Sequence, residues 1–249
     1  MNLEAIIDEL RKSYFSVTSI PRCKELISSV LMDSDKLAKL GVNDIKIITK
    51  VACNVLEKDW QSFPGELTKI YNCHKIGITK AQRLEETDKR TSLTLQAHLY
   101  SHKGFVAHIQ RMRTGSDYWA DEEYKSYVQA ASIMRETDRR FASRSYRHAA
   151  EAAKNRFFDR KNITWAKRWL ECEVEVAEHT DDEKTKALCA YETGEAARQL
   201  YMKIHDKRIK ELGLTAYQKF IDYCWEHPGS REEQRVGEAN SKLRWLSTQ

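Results

Sequence analysis

Arg140, Arg144, Arg147 and Lys154 recur at i, i+4, i+7 and i+14, the spacing that sets four cations on one face of a helix. Only Glu151 interrupts the row, and the opposite side carries Ala142, Ala149, Ala153 and Phe157, three of them small enough for a neighbouring helix to approach closely. A guanidinium is a planar fork that meets two phosphate oxygens at once, so this arrangement points to a polyanion, most directly a nucleic-acid backbone. The row lies within Arg135 to Arg168, where eleven Lys and Arg stand against four Asp and Glu. The whole chain carries a formal charge of +5, so the cationic character is local and the remainder is slightly acidic. The expected nucleic-acid contacts are Arg139, Arg140, Arg144, Arg147, Lys154, Arg156, Arg160, Lys161 and Arg168. Four to six phosphate contacts would lower affinity by about a hundred- to a thousandfold between 50 and 200 mM salt. Trp165 and Trp169, one helical turn apart, either stack on unpaired bases or anchor the core beside Leu170.

A rival use of the same charge sits next in the chain. Glu171, Glu173, Glu175, Glu178, Asp181, Asp182 and Glu183 form an acidic run without a Lys or Arg. If the chain folds back as a hairpin, this run lies beside the arginines and neutralises them internally. The acids are spread over both faces of a shorter helix, so they do not shadow the whole row. Lesser cationic rows at Lys203, Lys207 and Lys210, and at Arg231, Arg235 and Lys242 near Trp245, either extend a binding groove or form ordinary wet surface.

Other pairings carry less. His98 and His102 have the i, i+4 spacing that lets two imidazoles meet one metal, with Cys73-His74 upstream, but Leu99, Tyr100 and Ser101 leave no carboxylate between them. The expectation is therefore no metal and no cofactor. Arg198 and His205 form an R-x6-H pattern, which resembles the active motif of HEPN-type ribonucleases, helical proteins in which the Arg and His serve 2′-OH attack and proton transfer. That resemblance implies a ribonuclease, although Gln199 departs from the residue usual after the Arg; the plain alternative is a surface Arg and a capping His. Asp121-Glu122-Glu123 suits the first turn of a helix, where carboxylates oppose the macrodipole. No paired E-x-x-H, P-loop, dinucleotide fingerprint or nucleophile elbow occurs, so ATP hydrolysis and dinucleotide chemistry are not expected.

The elements that position these residues read as helices throughout. Three prolines and nine glycines fall almost entirely where helical periodicity stops, which predicts an all-α, irregular multi-helix bundle with a long central helix or helical hairpin. Early helices run through Leu3 to Tyr14, from a Ser19 cap with Pro21 in its first turn, and from Asn43 through Val55, closed by Pro64-Gly65. Gly77 is expected to break the next region into two short pieces, and a helix over 92–113 to bend at Gly104. One apolar stripe then continues from Asp121 to Phe158 with neither Pro nor Gly, predicting a single long spine. Asn162 caps the following helix. The Thr180 to Glu183 capping box opens another long one to Leu212, with Gly213 behind it. Tyr217 to Trp225 and Arg231 to Leu246, the latter opened by a Ser230 to Glu233 capping box, complete the chain. No repeat of fixed period stands out, which argues against a regular solenoid.

At 249 residues the chain is near the size where one core divides into two, and the expected domains are 1–114, N-terminal and helical, and 115–249, carrying the long helix and the basic face. Six scattered cysteines without a C-x-x-C pair predict reduced, buried thiols. No apolar window approaches eighteen residues, and Met1-Asn2-Leu3-Glu4 is acidic where a signal peptide is basic, so the expectation is a cytoplasmic protein that does not enter membranes. The functional expectation is a non-enzymatic nucleic-acid-binding protein, contacting phosphates through an Arg-rich helix as a subunit of a nucleoprotein complex. The alternative is a structural or adaptor protein that docks protein partners, or copies of itself, through amphipathic helices.

Overall fold

The computed structural model describes residues 2–229 and 231–249, and every regular element in them is helical. In chain order the α-helices are α1 (Leu3–Lys12), α2 (Ile20–Leu31), α3 (Ser34–Lys39), α4 (Val42–Lys58), α5 (Leu67–Arg83), α6 (Lys89–Thr114), α7 (Asp117–Met134), α8 (Arg139–Arg160), α9 (Ile163–His179), α10 (Glu183–Ile204), α11 (Lys207–Glu226) and α12 (Val236–Thr248), with a 3₁₀ turn at Arg231–Arg235. No helix of the described residues is long and apolar enough to cross a membrane.

Short polar side chains open most of these helices by accepting from orphan backbone N–H groups. Ser19 accepts from Arg22 N (3.4 Å), Asn162 from Thr164 N (2.8 Å) and Asp182 from Thr185 N (2.7 Å). Helix α4 begins two residues earlier than Asn43 implies: Gly41 holds the cap position, and Asp44 reaches back to its N–H at 3.0 Å. The Ser230 to Glu233 capping box lies outside the described residues.

Two long helices read from the sequence are each divided. The stripe from Asp121 to Phe158 breaks at 135–138, because the Asp138 carboxylate accepts from Phe141 N at 2.9 Å and starts α8. Likewise α10 stops at Ile204: His205 takes a left-handed conformation (φ 50°) and Asp206 caps α11 through Arg208 N at 2.8 Å. Gly213 therefore sits inside α11, where a Cβ would come within 2.8 Å of Leu246. Gly77 does not break α5 either; a Cβ there would meet Ile45 at 2.7 Å, so the glycine is a close-packing point between helices.

The chain forms two compact units, Met1–Met134 and Arg135–Gln249, whereas the expected division was at 114/115. Gly115 is the left-handed cap of α6, and α7 packs back on α6 within the first unit. In that unit α4 is surrounded, with Ile45, Ile48, Val51, Ala52 and Val55 all buried and α1, α2, α5 and α6 packed around it. In the second unit successive helices from α8 to α12 pack each on the next.

A repeat is present that the sequence did not display. Helices α6, α8 and α10 all end in left-handed residues, Gly115, Lys161 and His205, spaced 46 and 44 residues apart. All three begin at an aspartate cap, Asp88, Asp138 and Asp182. Eight residues before each left-handed cap stands a fully buried alanine, Ala107, Ala153 or Ala197. Eleven before it stands Gly104, Ala150 or Gly194. Each of these helices forms a hairpin with the one that follows, α7, α9 or α11.

Candidate functional site

The second unit carries both features with functional content: the cationic face of α8 and a groove formed by α9, α10 and α11. Helices α8 and α9 form a hairpin in which Phe157 packs on Trp169 (ring centroids 6.4 Å apart) and the Ser143 hydroxyl donates to Val176 O at 3.4 Å. Trp169 is fully buried and Trp165 nearly so, which makes them core anchors and removes them as base-stacking platforms.

The nine expected nucleic-acid contacts separate into distinct environments. Arg140, Arg144 and Arg147 are exposed, and no ion pair holds any of them among the described residues. Arg139 donates to Glu178 O at the end of α9 at 2.6 Å. Lys154 donates to Glu192 of α10 at 2.5 Å and lies over the Trp169 ring. Arg156 is 4% exposed, with Asp159 at 3.7 Å, because it continues the buried series of Ala142, Ala149 and Ala153. Lys161 lies over Phe158 at 4.7 Å and Arg168 over Trp165 at 4.5 Å, while Arg160 is exposed. The continuous row of the sequence is thus, in the fold, a shorter exposed run of three arginines.

Two members of the acidic run after Leu170 reach the chain just before α8. Glu175 and Glu178 lie 3.7 and 3.8 Å from Arg135, and Asp182 is used as a cap. Glu173 is buried between α8, α9 and α10. Burial, reinforced by the charge of Glu192, pushes its carboxyl up to about 7, and the Trp169 indole donates to it at 3.3 Å.

On the other side of this layer α9, α10 and α11 enclose a groove of about 590 Å³. Its floor is made of small side chains, Ala187, Ala190 and Thr193 on α10, with Ala177 of α9 and Ala216 of α11 beside them. Its walls are long and charged. Glu178, Glu183, Asp222 and Glu226 line it together with Lys186 and Lys219. Glu183 is paired with Lys186 at 2.7 Å, whereas Asp222 and Glu226 meet no cation at ion-pair distance among the described residues. A different edge of α10 locks the helices in place: Glu195 accepts from Arg198 (3.1 Å), Lys242 of α12 (3.0 Å) and the Tyr217 hydroxyl of α11. Burial alone would raise Glu195, but the hydrogen bonds from Arg198 and Tyr217 hold it below the usual carboxylate range.

The remaining sequence candidates are engaged structurally. Arg198 is tied to Glu195 and lies 5.9 Å from the Trp245 ring, His205 is an exposed helix cap beside Tyr201, and no hydrogen bond joins the two. His74 is fully buried with Nδ1 2.8 Å from Ile70 O, and burial pushes it down to about 3. His102 is lowered by the same cause, with the charges of Lys50 and Lys46 nearby adding to it. The rings of His74 and His98 lie 6.3 and 6.4 Å from that of His102. Glu122 and Glu123 stand beyond the first turn of α7 and face other helices: Glu122 accepts from Lys103 (3.1 Å) and Tyr71, and buried Glu123 from Arg111 (2.7 Å). All six cysteines are buried and lie outside any disulfide.

No protein-family model matches this chain, and no curated protein does. Among solved structures it is similar to the crystal structure of BtubC (BKLC) from P. vanneervenii, at 17% identity over 100% of this chain and 84% of that one, with a TM-score of 0.46. A designed self-assembling cyclic homooligomer is similar at 12% identity and a TM-score of 0.25, covering 99% of this chain and 91% of that one.

Proposed function

We propose that this chain is a docking protein whose second unit receives a segment of a protein partner in the groove between α9, α10 and α11. One observation carries this reading: the groove combines a floor of alanines and threonine with charged walls, so a helix or extended strand can lie close to the backbone while its polar edges meet Asp222 and Glu226. The hydrogen bonds of Glu195 to α11 and α12 support it, because a receiving surface binds more tightly when it is already ordered.

The test fills the groove from its rim. Thr215 is exposed and lines the groove, so Thr215→Trp occupies space there without disturbing the core. Affinity capture with wild type and variant side by side should show specific partners lost from the variant alone. Identical profiles for the two proteins would end the proposal.

Arg140, Arg144 and Arg147 favour a second reading, contact with a phosphate backbone. Three exposed guanidinium groups on one helical face suit that role, with fewer contacts than the sequence row implies.

A further inference from the structure

The arginine run of α8 and the acidic rim of the groove carry opposite charge on the same chain, and among the described residues no ion pair holds Arg140, Arg144, Arg147, Asp222 or Glu226. Building on the docking reading above, we infer that the groove's occupant is a second copy of this chain, which lays its α8 along the groove between α9, α10 and α11.

The dimensions agree. Arg140 to Arg147 spans seven residue steps, about 10 Å of helix, and the floor residues Ala187 to Thr193 on α10 span about 9 Å. The charges agree in sign. Glu178, Glu183, Asp222 and Glu226 outnumber Lys186 and Lys219 in the groove, and Arg135 and Lys186 engage only the first two acids. Asp222 and Glu226, on the last turns of α11, are left to meet incoming guanidinium groups. Arg147 helps keep Asp182 of its own copy ionised, behind the larger effect of the Thr185 hydrogen bonds, yet no ion pair holds it among the described residues.

The two surfaces are distinct. Helix α8 does not line the groove of its own copy, and in the heterologous arrangement inferred here each copy offers α8 to one neighbour and its groove to another. Such a contact builds rings or open chains, and it does not stop at a two-fold dimer. Charge pairing at an exposed rim also makes it sensitive to salt.

The experiment is sedimentation velocity on the full chain over a hundredfold range of concentration, with two variants. Arg140→Ser/Arg144→Ser/Arg147→Ser removes the offering surface, and Asp222→Ser/Glu226→Ser removes the receiving rim. All five side chains are exposed, so both variants keep the core intact. Wild type should grow beyond a dimer with concentration and shrink on raising salt from 50 to 200 mM. Each variant alone should associate at least about tenfold more weakly than wild type. Their equimolar mixture should form a one-to-one dimer and stop there, because it retains one intact pair of surfaces. A monomeric wild type, a dimer that closes on itself, or a mixture no better than either variant would overturn the inference. The Thr215→Trp capture comparison decides the docking reading separately, since loss of other partners there, with a monomeric wild type, leaves the groove in use for a different occupant.

Discussion

Gly194 of α10 lies directly beneath the ring of Tyr217 on α11, close enough that a Cβ at position 194 would stand 2.8 Å from the ring's Cδ1 and Cε1. Tyr217 is fully buried, and its hydroxyl donates to Glu195, so the ring has no room to retreat. Gly104 and Tyr127 make the corresponding contact in the α6–α7 hairpin, at 3.1 Å. In the middle hairpin the residues at the same spacing are Ala150 and Glu173.

Gly194→Ala should therefore destabilise the second unit by about 1–3 kcal/mol, since overpacking outweighs the gain of up to about 1 kcal/mol that alanine brings to a helix. Gly237→Ala is the control. It lies in α12 with nothing within 4 Å of the added carbon, and it should leave stability unchanged or raise it by up to about 1 kcal/mol. Urea unfolding of both variants reads the difference. Equal effects at the two positions would remove the steric account.

Acid should weaken the first unit through His74 and His102. Both are buried among groups that disfavour their charged forms, so folding holds them neutral while the unfolded chain protonates them near pH 6.5. A lowered folded pKa in a base means that stability is full above about 6.5 and falls as pH drops toward about 3, the value to which His74 is pushed. Each histidine contributes at most about 1.4 kcal/mol per pH unit in that window. Unfolding curves at pH 7.5, 6 and 5 should show the loss, and His74→Leu should flatten it. A wild-type stability constant over this range would contradict the burial argument.

Glu173 acts with the opposite sign. Its folded carboxyl is raised to about 7, so its contribution is full below the unfolded value near 4.5 and is lost as pH rises through 7. Glu173→Gln removes the penalty and keeps an oxygen for the Trp169 indole. The variant should be more stable than wild type at pH 8, by an amount on the order of 1–3 kcal/mol, and no more stable at pH 4.5. Chemical unfolding at the two pH values tests this, and a gain that does not change with pH would point to packing and not to charge.

The helical class was legible because an apolar period of 3.6 survives in almost every segment and Pro and Gly are scarce. The two breaks were not, since the stripe keeps its phase through 135–138 and 204–206. Their signals were Asp138 and Asp206, each at a helix start where a short carboxylate competes for backbone N–H groups. His205 and Lys161 hid the repeat, because left-handed caps are read from glycine and these two are not glycine. For the site, Arg156 was readable as buried, being on the stripe of Ala142, Ala149 and Ala153, and charge type alone masked it. The groove had no local sequence signal at all. It exists only where three helices from separate stretches leave small residues side by side.

The three remaining arginines give the phosphate reading a sharper expectation than the sequence did. Affinity for B-form DNA falls with a slope of about −0.9 per phosphate contact on a double logarithmic salt plot, so three contacts predict a loss of about fortyfold between 50 and 200 mM. Nine contacts would predict a loss of more than about ten-thousandfold over the same range. Gel-shift titrations at the two salt concentrations separate these cases, and Arg140→Ala/Arg144→Ala/Arg147→Ala should abolish the slope. Salt-insensitive or absent binding would leave the arginine run to protein contacts alone. Should DNA instead dissolve wild-type assemblies while binding with the fortyfold slope, phosphate and the groove rim would be competing for one set of guanidinium groups, as their shared location on α8 requires.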